Sequence, residues 1–206
     1  MQQLRPALLL TAFFVVVTGI AFPLAVWAIG QVAFPDQARG SLVRDAQGKV
    51  IGSRLLGQGF SKPGYFHPRP SAAGAGYDAA SSSGTNLGPT SAKLVNGIED
   101  DPETQEVDES FPGFVRLAAA YREENGLPVD ADIPADAATR SASGLDPDIS
   151  PENALLQAPR VARERKLVLE QVQRLVTQHT QGRTLGLFGE PRVNVLMLNR
   201  SIDALK

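Results

Sequence analysis

Cysteine is absent from the 206 residues, which excludes disulfides, thiol nucleophiles and thiolate zinc sites. Histidine occurs only twice, as His67 and His179, and neither belongs to a metal-ligand spacing such as HExxH. His179 reads as a polar residue near a helix end. No GxxxxGK run followed by Ser or Thr occurs, so phosphates lack the usual glycine-rich cradle. Serines crowd positions 81–83, but no Lys or His joins them in a nucleophile motif. The 20 basic and 22 acidic residues leave a net charge of −2. No basic stripe is interleaved with aromatics, which argues against nucleic acid as a partner.

One absence turns into the chain's strongest positive signal. Residues 7–29 contain no charge at all, and read ALLLTAFFVVVTGIAFPLAVWAI. At about 1.5 Å per residue such a helix reaches roughly 34 Å, enough to cross a hydrocarbon core of about 30 Å. A cleaved signal has a shorter apolar core, about 7–15 residues, before a small-residue cleavage site. Only Ala28-Ile29-Gly30 offers such a site here, directly after Trp27, and a Trp at that depth suits an interface anchor. A retained span is the better reading. Pro23 predicts a kink within it and hints at packing against other membrane helices.

Arg5 is the only charge before the span, while residues 31–37 hold one acid and no base. The positive-inside rule then places residues 1–6 in the cytoplasm, a transmembrane helix at 7–29, and residues 30–206 outside. That remainder is long enough for one domain with a real core. Glycine (19) and proline (15) are abundant, concentrated at 57–89 and 144–159, and aromatic and aliphatic residues threaded through these stretches predict ordered loops. Seven acids fall within residues 99–109, a solvated loop or a cation-attracting rim.

Pattern and punctuation predict the elements. Residues 41–45 and 49–53 read as a β-hairpin turning at Gly48. Residues 91–98 read as a short helix and 114–124 as a longer one, stopped by Gly126. Residues 128–142 look irregular. Ser150 followed by Pro151 and Glu152 is a strong helix start. Pro159 is expected to interrupt that helix, with a long amphipathic helix then running from Arg160 to about Thr180. Residues 184–188 and 192–198 alternate like two strands, and 201–205 close as a short helix. Helices and strands mix without a βαβ repeat, so the fold class is a single transmembrane helix plus an α+β extracytoplasmic domain.

Asp146, Asp148 and Glu152 cluster, and paired carboxylates can do acid–base work, but here they precede a helix N-terminus, where acids are stabilised anyway. Arg160 and Arg163 are expected to pair with Asp146 or Asp148, or with another subunit. Tyr65, Phe66, His67, Arg69 and Pro70 form a rigid aromatic and cationic run, either packed onto its own domain or exposed for docking. Asn86, between Gly84 and Gly88, suits a turn. Asn194 and Asn199 suit ladder ends or caps. The residues alone describe a membrane-anchored domain without an evident active site; a membrane-anchored hydrolase or binding domain stays open as an alternative.

Several runs are more specific than composition: GQGF at 57–60, GYFHPRPS at 64–71, Tyr77 with SGTNLGPT at 83–90, SASGLDPDISP at 141–151, QAPRVA at 157–162 and GEPRVNVLMLN at 189–199. In this order, after one N-terminal span, they closely resemble the C subunit of the Kdp potassium-transporting ATPase of bacteria and archaea. The resemblance covers nearly the whole chain; the acidic stretch departs from it. It implies an accessory subunit of the inner membrane that works with a channel-like potassium-translocating subunit, a P-type ATP-hydrolysing subunit and a small single-span peptide. It implies a non-catalytic role in assembly and as a catalytic chaperone that raises ATP affinity, with no tightly bound cofactor, ATP engaged through the complex, and K+ as the transported ion. Gln157 matches a glutamine implicated in nucleotide interaction, and Ser143 and Gly144 lie in a segment compared with an ATPase signature. Tyr65, Phe66, His67, Arg69, Asn86 and Arg160 are candidates for subunit contact. An outside domain and a cytoplasmic nucleotide are at odds, so coupling through the complex is the alternative to direct contact.

Overall fold

The computed structural model describes residues 3–98 and 111–205, so the acidic stretch at 99–109 lies outside the described residues. The chain divides into two compact units, residues 1–53 and 54–206. In the first unit the apolar run forms one continuous helix, Leu4–Ala33, long and apolar enough to span a membrane. It extends beyond the expected 7–29 at both ends. It comprises α1 (Leu4–Val16), a π-helical segment (Val17–Ala21) and α2 (Phe22–Ala33). The widened segment lies immediately before Pro23. Proline lacks the N–H that would bond the carbonyl of Gly19 and its ring crowds that carbonyl, so a π turn is a natural accommodation.

A short turn of helix, α3 (Pro35–Ala38), leads into the expected hairpin of β1 (Leu42–Arg44) and β2 (Val50–Ser53). Leu42 pairs with Ser53 and Val43 with Gly52 in antiparallel register. Asp45 Oδ1 accepts from the N–H of Gln47 and of Lys49 at 3.0 and 2.9 Å, which fixes the turn.

In the second unit residues 57–90 run without a strand, as their composition predicts, apart from one 3-10 turn at Ala79–Ser81. Then come α4 (Ala92–Asn96), α5 (Gly113–Asn125) and α6 (Ala135–Ala138), the last within a stretch expected to be irregular. Gly126 takes the left-handed conformation that stops α5 (φ +66°). β3 (Asp148–Ile149) precedes α7 (Pro151–Arg165), whose N-cap Ser150 accepts from the N–H of Asn153, as expected. α8 (Leu169–His179), β4 (Thr180–Gln181), β5 (Arg192–Asn194) and α9 (Val195–Asp203) complete the unit. The three strands form one antiparallel sheet with β5 between β3 and β4. The α+β class therefore holds.

Four expectations about elements are corrected. Pro159 does not interrupt α7. It lies on the exposed face, as does Leu155, so the carbonyl it fails to bond is open to water. The helix from Arg160 to Thr180 is two helices. Lys166 adopts a left-handed conformation (φ +55°), and the N–H of Leu167 reaches back to the carbonyl of Ala162 at 2.9 Å, a Schellman stop that needs no glycine. Residues 184–188 form a tight turn closed by a Thr184–Phe188 bridge, with Leu185 and Gly186 both left-handed. The alternation at 192–198 is strand only to Asn194, because Asn194 Oδ1 accepts from the N–H of Met197 at 3.1 Å and starts α9. That helix absorbs the short one expected at 201–205.

The core joins Ala154, Ala158 and Val161 of α7, Val172 and Val176 of α8, Val193 of β5, Leu198 and Ile202 of α9, and Phe66 from the long loop region. Valine and alanine dominate it, so the helices approach closely; Phe66 is the one aromatic among its fully buried described members, and Phe60 packs against it from a partly buried position. Burial of this patch drives the unit together, at roughly 25 cal/mol per Å² of apolar surface.

Candidate functional site

Along α7 the residues Asn153, Gln157 and Arg160 lie four and three positions apart, hence on one face, and all three are buried. Gln157 is 1 % exposed and has all its hydrogen-bonding capacity in use. Its Oε1 accepts from the His67 backbone N–H at 2.7 Å and from Arg160 Nη2 at 2.9 Å. Its Nε2 donates to the His67 carbonyl at 3.0 Å and to Asn153 Oδ1 at 2.8 Å. Asn199 of α9 treats the preceding residue the same way. Its Oδ1 accepts from the Phe66 N–H at 2.8 Å and its Nδ2 donates to the Phe66 carbonyl at 2.9 Å. Two side-chain amides thus replace the neighbouring strand that these buried peptide groups lack.

Arg160 completes the grip. Its Nη1 donates to the carbonyls of Pro63 and Tyr65, its Nε to Asn125 Oδ1 at 3.0 Å, and its Nη2 to Gln157. It does not pair with Asp146 or Asp148, as the sequence suggested; its side chain turns inward, where carbonyls and amides satisfy it. Burial pushes its pKa down and the Glu124 carboxylate opposes that. Arg163 points to Glu164 instead. Around this centre Tyr121 donates to Asn153 Oδ1 at 2.8 Å. Asp136 accepts from Ser150 and from Asn153 Nδ2. Burial and the nearby Asp136 both raise the Tyr121 pKa, so the phenol keeps the proton that it donates to Asn153.

The 64–71 run is the packed loop rather than a free one. Phe66 is fully buried. The Arg165 guanidinium covers the Tyr65 ring at 4.3 Å, while the Tyr65 hydroxyl and Arg165 both reach Asp203. His67 Nδ1 meets Glu124 at 2.6 Å, and that hydrogen bond holds the Glu124 carboxyl below its ordinary value. Arg69 pairs with Asp146 at 2.8 Å, and Asp148 pairs with Arg192 at 3.1 Å. Two of the three clustered carboxylates, Asp146 and Asp148, are therefore each paired with an arginine.

Ser143 and Gly144 belong to a separate network. The Ser143 carbonyl accepts from the Ser83 N–H at 3.1 Å and from the Ser82 hydroxyl at 2.9 Å. Gly144 is left-handed (φ +67°), and a Cβ there would lie 2.7 Å from the Ala73 nitrogen and from the Ser83 carbonyl oxygen. Its carbonyl accepts from the Ser71 hydroxyl at 2.6 Å. Asn86, also at positive φ (+51°), lines a cleft of about 560 Å³ with Ser83, Thr85, Phe111, Phe114 and Arg140.

The sequence did not single out Asn153, Asn125, Tyr121 or Arg165. Asn199 was expected as a ladder-end or cap residue but instead sits inside α9 and binds Phe66. The available signal was a polar stripe at 153, 157 and 160 on a face otherwise filled by alanine and valine.

Replacing Arg160 with Met keeps most of the volume but removes the guanidinium donor from the Pro63 and Tyr65 carbonyls and from Asn125 Oδ1, and one of the two donors from Gln157 Oε1. Arg160→Met should lower stability by about 3–5 kcal/mol. Thermal unfolding of the full chain checks this; a loss under 1 kcal/mol would mean that water readily replaces the guanidinium.

The family model described as KdpC, the K+-transporting ATPase c chain, matches residues 4–204. The potassium-transporting ATPase KdpC subunit of Caulobacter sp. (strain K31) is 52% identical over 204 residues, covering 99% of this chain and 94% of that one. The KdpC subunit of Mycobacterium tuberculosis (strain ATCC 25618 / H37Rv) is 50% identical over 204 residues, covering 99% of each. With the apolar span, the motifs along the loops and this end-to-end similarity, the chain belongs to the KdpC family of K+-transporting ATPase subunits.

Proposed function

We propose that this accessory subunit stabilises the potassium-pump complex and raises the ATP affinity of the hydrolysing subunit, without catalysing a reaction itself. Its partners would be the channel-like potassium-translocating subunit, the P-type ATP-hydrolysing subunit and the small single-span peptide, with K+ as cargo and no cofactor of its own. The observation that carries the reading is the state of Gln157. Buried and saturated by His67, Arg160 and Asn153, it has no free donor or acceptor for a nucleotide. Ser143 and Gly144 serve a different network. An influence on ATP therefore runs through the complex: the subunit binds two states of the pump unequally, and coupling is the difference between those affinities.

Complexes purified with and without this chain should differ in ATP titrations of potassium-stimulated hydrolysis, with a higher apparent KM for ATP when it is missing. Identical KM values would reduce its role to assembly.

The proposed topology has the N-terminus in the cytoplasm, residues 30–206 outside, and the protein in the inner membrane. Arg5 before the span, against an acid and no base at 31–37, supports it. The lack of native cysteine gives a clean test. Val129 is 92% exposed, and Val129→Cys should react with a membrane-impermeant maleimide in cells with a permeabilised outer envelope and an intact inner membrane. Labelling only after inner-membrane lysis would reverse the topology.

A further inference from the structure

We propose that the turn at residues 184–188 dips into the headgroup region of a lipid bilayer. Three large apolar side chains crowd this tip, and none is covered: Leu185 is 85% exposed, Leu187 75% and Phe188 65%. An exposed apolar cluster of this kind on a soluble surface marks a contact site.

The tip is built to hold these side chains out. The Thr184 N–H donates to the Phe188 carbonyl at 2.8 Å, and the Phe188 N–H returns to Thr184 at 3.0 Å. Leu187 and Gly186 add bonds to Thr184 and Arg183. Leu185 holds φ at +55°, a conformation unfavourable for any residue with a side chain. Below the turn, Arg183 Nη2 reaches both carboxylate oxygens of Glu190, at 2.8 and 2.7 Å.

Lipid fits this surface for three reasons. The chain itself carries a membrane span ending at Ala33, and the unit that bears the tip begins soon after, at Arg54. A covalent tether keeps a bilayer within reach at high effective concentration. Three side chains are too few for a stable protein interface, which takes about 800 Å² from each partner, whereas an already anchored domain needs only a small apolar insert. Charge agrees as well: residues 184–189 carry none, Arg183 and Glu190 neutralise each other, and Arg192 is tied to Asp148. Leucine and phenylalanine on a neutral tip suit the headgroup–acyl boundary.

The test uses the full chain, whose lack of cysteine allows one label per molecule. Leu187→Cys and, as control, Val129→Cys are labelled with the fluorophore NBD and reconstituted in phosphatidylcholine vesicles, alone and within the complex. Doxyl-labelled lipid should quench the 187 probe at least twofold more than the 129 probe in both settings. Equal quenching at the two positions overturns the proposal. So does a 187 probe that is blue-shifted but unquenched in the complex, which would assign the tip to a protein subunit. Neither result bears on the influence of this chain on ATP affinity, which the hydrolysis titrations address separately.

Discussion

The second unit depends on how a strandless loop is held against its helices. Peptide groups buried away from water need partners, and those of Phe66 and His67 have no neighbouring strand. Asn199 and Gln157 each present an amide that reads both the N–H and the carbonyl of one residue. Arg160 secures the carbonyls just upstream. With the backbone satisfied, Phe66 can enter a core otherwise made of valine, alanine, leucine and isoleucine. Remove the amides, and the aromatic anchor must either leave the core or drag bare peptide groups into it.

This constraint bears on function more than the carboxylate cluster does. Asp146 and Asp148 are paired with arginines, and the arrangement is that of a scaffold rather than of an acid–base pair. The grip also joins α5, α7 and α9 through one hydrogen-bonded set that includes Asn125, Asn153 and Tyr121. A connected polar network of this sort favours one well-defined packing over several. Such rigidity would serve the proposed role, in which the subunit favours one state of its partners over another.

Much of the architecture was legible in the sequence, because the physics there is local. The charge-free run marks the span, Gly48 between two alternating runs marks the hairpin, and Ser150-Pro151 marks the start of α7. Where the expectation failed, non-local or side-chain geometry decided. Lys166 ends α7 in a conformation usually left to glycine, so nothing in the periodicity announces the break. Asn194 converts an alternating run into a helix by capping it. Pro159 is tolerated because its face is exposed, which the residue itself does not reveal. At the site, resemblance picked out Gln157, but its partners at positions 67, 153 and 160 become apparent only once the loop and helix are placed together. Asn199 is the clearest case: its role depends on Phe66, far away in the sequence.

The central claim is that Gln157 acts by holding the 63–67 loop rather than by touching nucleotide. The most direct measurement combines thermal unfolding with ATP-titrated, potassium-stimulated hydrolysis for complexes carrying Gln157→Ala. On this account the domain loses stability and less complex assembles, while the apparent KM for ATP of the assembled fraction stays at the wild-type value. A KM for ATP that rises tenfold, with unfolding temperature and assembly unchanged, would contradict it and assign the glutamine to the nucleotide.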